Sequence, residues 1–225
     1  MSTALSSKIP GKVIVRESAI KAGELGVNNA YDLNLIQKPS GEYVLVLFMK
    51  LQFFFEAEGL SKWTKTEKEQ FIQDWENTVR HVWDNHVLKV LSDKKTVTLK
   101  LDFQTQIEGW MFDHWEITAR KVPSGSAFRS YVHPGLGNVV LTDRDNVAIS
   151  RHVRGVGKFQ QLTTAHEFGH MIGLDDEYGP LFGGDKGPHN SDYSSVMNIG
   201  SSVRGRHKQH LKLWLDNALK EHGIK

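Results

Sequence analysis

Residues 163–178 read TTAHEFGHMIGLDDEY, and the spacing of their polar side chains decides how this part of the chain must fold. His166 and His170 are four residues apart. On a helix, four residues advance slightly more than one turn, so both imidazoles project from nearly one face. Two nitrogens on one rigid element can then grip a single metal ion. Glu167 directly follows the first histidine, at the edge of that face. From there it can reach a water on the metal without binding the metal itself. Gly173 comes three residues after His170, where a left-handed backbone ends a helix and turns the chain back. Such a turn brings Asp176 beneath the two histidines as a third ligand. A helix is therefore expected over 160–173, with Leu162, Ala165, Phe168, Gly169 and Ile172 toward the core.

Upstream, residues 43–55, YVLVLFMKLQFFF, are nearly all apolar and read as a buried strand. Phe71, Trp75, Val79, Val82, Trp83, Val87 and Val90 recur at spacings of three and four, which predicts a long helix over 64–91. Thr66 and Glu69 are placed to form a capping box at its start. His81 and His86 fall in this helix and read as surface or packing residues. Strands are expected at 96–104, where TVTLKLDFQ alternates, at 113–122, and at 137–142. Residues 151–158 read as a loop rich in Gly and Arg. Residues 1–40 show little periodicity and read as an N-terminal arm or cap with short strand pieces. Downstream, 174–195 is loop-like, with Gly179, Pro180, Gly183, Gly184, Gly187 and Pro188. A last helix is expected over about 206–221, carrying Leu211, Trp214, Leu215 and Leu219 on one face. This element order predicts an α+β or α/β sandwich, with helices packed against one twisted sheet.

Composition narrows the choices. The 225 residues carry a net charge of only +2, too weak a balance to argue for nucleic acid or an anionic membrane as partner. No run of eighteen apolar residues suggests a transmembrane helix. Cysteine is absent, so a metal must be held by His, Asp or Glu. The opening MSTALSSKIPGKVIV lacks the apolar stretch of a secretory signal, which favours synthesis in the cytosol.

The pattern H-E-x-x-H-x-x-G-x-x-D, spanning 166–176, resembles the metzincin zinc peptidases, whose motif ends in His and is followed by a methionine turn. Residues 194–198, SSVMN, resemble that turn, with Met197 placed 21 residues after Asp176. The order of elements over 43–221 is similar as well. Aspartate as third ligand is similar to the snapalysin-like members. Ile199 departs from the members that carry a metal-approaching Tyr two residues after the methionine.

The resemblance favours α+β with a mixed sheet. It implies a zinc peptidase domain over 41–225, a zinc ion held by His166, His170 and Asp176, and Glu167 as the catalytic base. It favours Asp176 over its neighbours Asp175 and Glu177, which are left as acceptors behind the ligands or as solvated groups. It implies a peptide substrate lying extended along an edge strand, with GNVVLT at 137–142 in the corresponding place. It also implies an apolar floor beneath the metal, supplied by Met197.

Tyr178 and Tyr193 are candidates to stabilise an oxyanion. His207 and His210 read as a second metal pair, as cleft residues, or as a solvated basic helix start. Arg204, Arg206, Lys208 and Lys212 make that segment basic and suited to acidic substrate residues. A zinc-binding module without catalysis, and a zinc hydrolase of other amides or esters, stay open. The segment is also similar to bacterial effector-type metallopeptidases. Either the 1–40 arm caps the cleft, or, as that likeness implies, the protein is a toxin exported without a cleaved signal with a secretion apparatus as partner; a monomer is expected.

Overall fold

Residues 43–57 form the axis on which the rest is hung. The computed structural model describes residues 9–59, 62–109, 114–178 and 187–224. It is a mixed α+β chain, with a curled eight-stranded mixed sheet, a separate two-stranded hairpin and three helices among the described residues. The opening MSTALSSK, Asp113, Gly179, Pro180, Gly183 and Gly184 lie outside the described residues.

The axial strand β3 (Tyr43–Ala57) is flanked on one side by β5 (Thr96–Ile107), parallel to it from residue 43 to residue 53. Its other flank is shared. β2 (Val27–Gln37) runs antiparallel along residues 43–48, and β6 (Trp115–Lys121) runs parallel along residues 51–57. The sheet therefore forks near Lys50. His114 closes the fork, taking the Lys50 N–H on its Nδ1 at 3.0 Å, while the Trp115 indole reaches back to the Ala30 carbonyl at 2.9 Å. Beyond β2 lies β1 (Lys12–Ala22). Beyond β6 lie β8 (Asn138–Thr142), parallel to it, and β7 (Tyr131–His133), antiparallel to β8 and at the edge. β4 (Val87–Val90) pairs with β5 on the far side.

The helix α1 (Lys65–Trp83) buries Phe71, Trp75, Val79, Val82 and Trp83 against the sheet. Its capping box is made by Thr64 and Glu67, not by the expected Thr66 and Glu69. It also stops eight residues before the expected end at 91. Asp84 caps it, Asn85 takes a left-handed backbone, and the chain pairs with β5 as β4. Val87 and Val90 continued the helical spacing, yet they are exposed strand residues.

Two further expectations are corrected. The Gly- and Arg-containing stretch 151–158 is a hairpin of β9 (Ile149–Val153) and β10 (Gly157–Gln161) rather than a loop. The short strand pieces within 1–40 are two eleven-residue strands in the main sheet, and the boundary drawn at 40 falls in the β2–β3 turn. Asp32 and Asn34 broke the apolar pattern of β2. Both are buried and partnered: Asp32 accepts the Ala19 N–H, and Asn34 accepts from the Arg16 guanidinium.

The main core joins one face of the sheet, the helices and the Met197 turn, from Ile20 and Leu33 through Trp75 and Phe168 to Met197 and Leu215, while Ile36, Val44 and Val46 form a smaller cluster on the opposite face of β2 and β3. The remaining helices are α2 (Thr163–Met171), inside the expected 160–173, and α3 (Gln209–Glu221), preceded by a 3-10 turn at Arg206–Lys208. Among the described residues, no helix is long and apolar enough to cross a membrane.

Candidate metal centre

Helix α2 is fixed before its ligands are. Phe168 enters an aromatic cluster with Trp75, Trp83 and Phe103, at ring distances of 5.9 to 6.3 Å. The Trp83 indole N–H donates to the Ala165 carbonyl at 2.8 Å, pinning the helix to α1. The opposite face of α2 presents the two histidines. Each is held in the tautomer a metal requires, because each Nδ1–H donates to a backbone carbonyl and frees Nε2. His166 donates to Val196 O at 2.7 Å, and His170 to Leu174 O at 2.8 Å.

The helix ends as the sequence indicates, at a left-handed Gly173 with φ of +89°. Space as well as conformation demands glycine there. A Cβ would lie 2.3 Å from Ala22 O, and a Cβ on Gly23 would lie 2.3 Å from Gly173 O. The β1–β2 turn thus presses glycine to glycine on the turn that feeds the third ligand, and the Leu25 N–H donates to Gly173 O at 3.0 Å. The N-terminal hairpin buttresses the site.

After this turn Asp176 comes back to the histidines. Its Oδ1 lies 3.1 Å from His166 Nε2 and 3.4 Å from His170 Nε2. The ligand atoms of the three residues all fall within 4.8 Å of one another, the one such group of His, Asp and Glu among the described residues. Two imidazole nitrogens, which a metal binds in their deprotonated form, and a carboxylate oxygen are a donor set that divalent transition metals accept, so the residues present fit a metal ion. The neighbouring histidines hold the Asp176 carboxyl far below its usual range against the effect of burial. Burial alone would lower His170, but Asp176 and Glu167 raise its imidazole to about 9.

Glu167 stands beside the triad, buried, with its carboxyl pushed up by desolvation. It borders two adjoining cavities, one of about 300 Å³ over the ligands and one of about 200 Å³ toward the start of α2. Tyr178 borders the same two cavities and stacks on His166, with ring centroids 6.1 Å apart and planes 14° apart. Burial, with Asp176 nearby, raises the phenol well above its usual value, so it remains a donor. Tyr193 packs on Phe159 at 5.7 Å and borders neither cavity.

The floor is the turn around Met197, itself fully buried. A Cβ on Gly169 would lie 2.1 Å from Met197 Sδ, so the glycine between the ligands leaves the space the methionine fills. The Glu177 N–H donates to Met197 O at 2.9 Å, tying the ligand loop to this turn.

His207 was open to a solvated reading from sequence. Instead it is buried, with Nε2 2.9 Å from Glu177 Oε1 and its Nδ1 accepting the Arg204 N–H. Glu177 also receives both Arg206 nitrogens at 2.6 and 2.9 Å, and Asp192 binds Arg204 and Arg206 together. Sequence spacing alone did not link Glu177 to a segment some thirty residues away. The expected basic face for acidic substrates is thus absent at Arg204 and Arg206, whose charges are matched internally. His210 takes no part: its Nε2 is buried without a partner, and burial lowers its imidazole to about 4. Asp175 accepts the Asp176 N–H rather than a ligand N–H.

The strand expected at the sheet edge, 137–142, is not at an edge. β8 is paired on both sides, by β6 and β7, and Val139 and Val140 are buried. The free edge beside the ligands is β7, whose Tyr131 and Val132 line the metal-side cavity.

Compared with known proteins, the chain matches no protein-family model, and no curated protein is similar to it in sequence.

Proposed function

We propose that the protein is a zinc-dependent endopeptidase of metzincin-like design. The observation that carries this reading is the convergence of His166, His170 and Asp176 on one point beside a buried Glu167, at the bottom of an open groove. The groove is long. The cavity over the ligands shares Leu25 and Pro134 with a cavity of about 320 Å³ on one side, and shares Ser130 and Glu167 with the cavity on the other. That length favours an extended peptide over a small amide or ester. The glycine turn, the aspartate and the buried methionine support the likeness to the metzincins.

When bound, zinc supplies the Lewis acidity that makes a water nucleophilic at neutral pH and polarises a carbonyl. Every other part belongs to the chain. Glu167 accepts a proton from the attacking water and delivers it to the departing amine; a carboxyl raised by burial suits both transfers. Tyr178 donates its phenolic hydrogen to the carbonyl oxygen as negative charge develops there. Val196 O and Leu174 O keep the imidazoles aimed. β7 offers unpaired backbone groups to which an extended substrate adds as a further strand.

The test is digestion of casein by the zinc-loaded chain and by its Glu167→Gln variant. The variant is expected to keep stoichiometric zinc and lose cleavage by at least about 1,000-fold, the scale of a lost general base. Full activity in Glu167→Gln would remove the role given to this residue. Tyr178→Phe is expected to lower kcat by about 100-fold, as loss of one oxyanion donor does.

A further inference from the structure

The cavity of about 200 Å³ beyond Glu167 holds two arginines, Arg129 and Arg151, in the same wall as the base. Their charges are not matched as those of Arg204 and Arg206 are. Arg129 makes no ion pair among the described residues, and it lies close enough to Tyr178 for its charge to act on the phenol. Arg151 spends one nitrogen on a neutral partner, donating from Nε to Gln161 Oε1 at 2.8 Å. Gln161 is itself held by Asn198 O, next to Met197, so Arg151 is tied to the floor of the site.

One acid besides Glu167 lines this cavity, and it is already engaged. Asp145 is buried, and its Oδ2 accepts from both the Ser130 hydroxyl and the Thr142 N–H. Arg129 and Arg151 therefore line this cavity with no ion pair to any acid among the described residues. A guanidinium presents paired N–H donors that match a carboxylate.

The direction of β7 says which part of a substrate would enter. Arg129 and Ser130, which line this cavity, lead into β7; Tyr131 and Val132 then line the cavity over the ligands, and Pro134, just past β7, borders the cavity at the other end of the groove. A peptide added antiparallel, as β8 pairs on the other side of β7, runs the opposite way. It passes the ligands first and then reaches Arg129 and Arg151.

We infer that this cavity takes an acidic side chain on the residue immediately following the cleaved bond, with Arg129 and Arg151 as the residues that select it. This rests on the peptidase reading above and adds the substrate class to it.

The experiment is digestion of a mixed peptide library by the zinc-loaded full chain, followed by sequencing of the new amino termini. Asp and Glu are expected at the first position about 10–100-fold more often than Asn and Gln, the scale of a hydrogen bond to a charged group. Arg129→Glu/Arg151→Glu is expected to shift that preference to Lys and Arg, with zinc content and melting temperature checked first. If the double reversal does not fold, Arg129→Gln and Arg151→Gln singly are each expected to flatten the acidic preference. Cleavage with no acidic enrichment, or an enrichment that survives both single variants, overturns the inference and leaves the peptidase reading intact. No cleavage of any library peptide by the zinc-loaded wild type overturns both. Binding gives an independent check: tetrapeptides beginning with Asp are expected to bind the chain about 10-fold more tightly than those beginning with Lys. Equal binding counts against the assignment.

Discussion

Arg206 and Arg129 border different cavities beside the His166, His170 and Asp176 group, and their charges meet different fates. Below the ligands, Arg206 is clasped by Glu177 and Asp192, Arg204 by Asp192, and His207 by Glu177. At the rim, Arg129 and Arg151 have no acid partner among the described residues. The floor uses charge to hold one loop against another, and through Glu177 it holds the residue next to a metal ligand. At the rim, no acid among the described residues takes up the charge. Sign and residue type are the same in both regions; what differs is whether the fold itself supplies the anion.

The comparison predicts large effects from the floor and small ones from the rim. Glu177→Ala leaves Arg206 and His207 without their shared acceptor, and is expected to cost about 3 kcal/mol. Because Glu177 adjoins Asp176, zinc affinity should also fall by about 10–100-fold. Chemical denaturation together with a zinc titration reads both, and an unchanged affinity would detach this network from the site.

Gly169→Ala comes next. Its Cβ would meet Met197 Sδ, and the crowding is expected to cost about 1–3 kcal/mol. Gly169→Ala combined with Met197→Ala should recover part of the loss in a thermal melt; a cycle with no coupling would mean the two side chains do not share this space.

Asp192 gives the floor a pH signature. Arg204 first, then Arg206, hold its carboxyl well below the usual aspartate range. A depressed folded value contributes stability that is fully present above the unfolded value, about pH 4, and is lost as pH falls through the folded one. Asp192→Asn is therefore expected to melt below the wild type at neutral pH and to converge with it as pH drops below about 4. A gap that stays constant across that range would assign the loss to something other than these ion pairs.

The smallest stability effect belongs to the rim. Arg129→Gln should change stability by no more than about 0.5 kcal/mol, as for a surface side chain without partners. A thermal shift comparable with that of Glu177→Ala would erase the distinction between the two regions.

Legibility in the sequence follows the distance over which each feature is decided. His166, Glu167, His170, Gly173 and Asp176 lie within eleven consecutive residues, where helical pitch and one glycine turn set their relation. The structure brings His166, His170 and Asp176 within 4.8 Å of one another. The strong apolar run at 43–55 was legible for a related reason, since continuous β-forming residues need no distant partner to be read. Other features depend on contacts far along the chain. Gly23 gives no local sign that it meets Gly173, and Glu177 gives none that it meets Arg206. The strands of the N-terminal hairpin were obscured by polar residues such as Asp32, which only the folded sheet satisfies. β4 was hidden because Val87 and Val90 happen to continue the spacing of α1, while Asp84 and Asn85 end the helix. The pairing of β8 by β7 depends on sheet order, which no short pattern in GNVVLT encodes.

The central claim is that His166, His170 and Asp176 hold one zinc ion. Elemental analysis after zinc loading and exhaustive dialysis tests it most directly, on the wild type, Tyr178→Phe and Asp176→Ala. One zinc per chain is expected in the first two and a large loss in the third, with folding checked by circular dichroism. A wild type that retains no zinc, or a folded Asp176→Ala that retains it as tightly, would contradict the account.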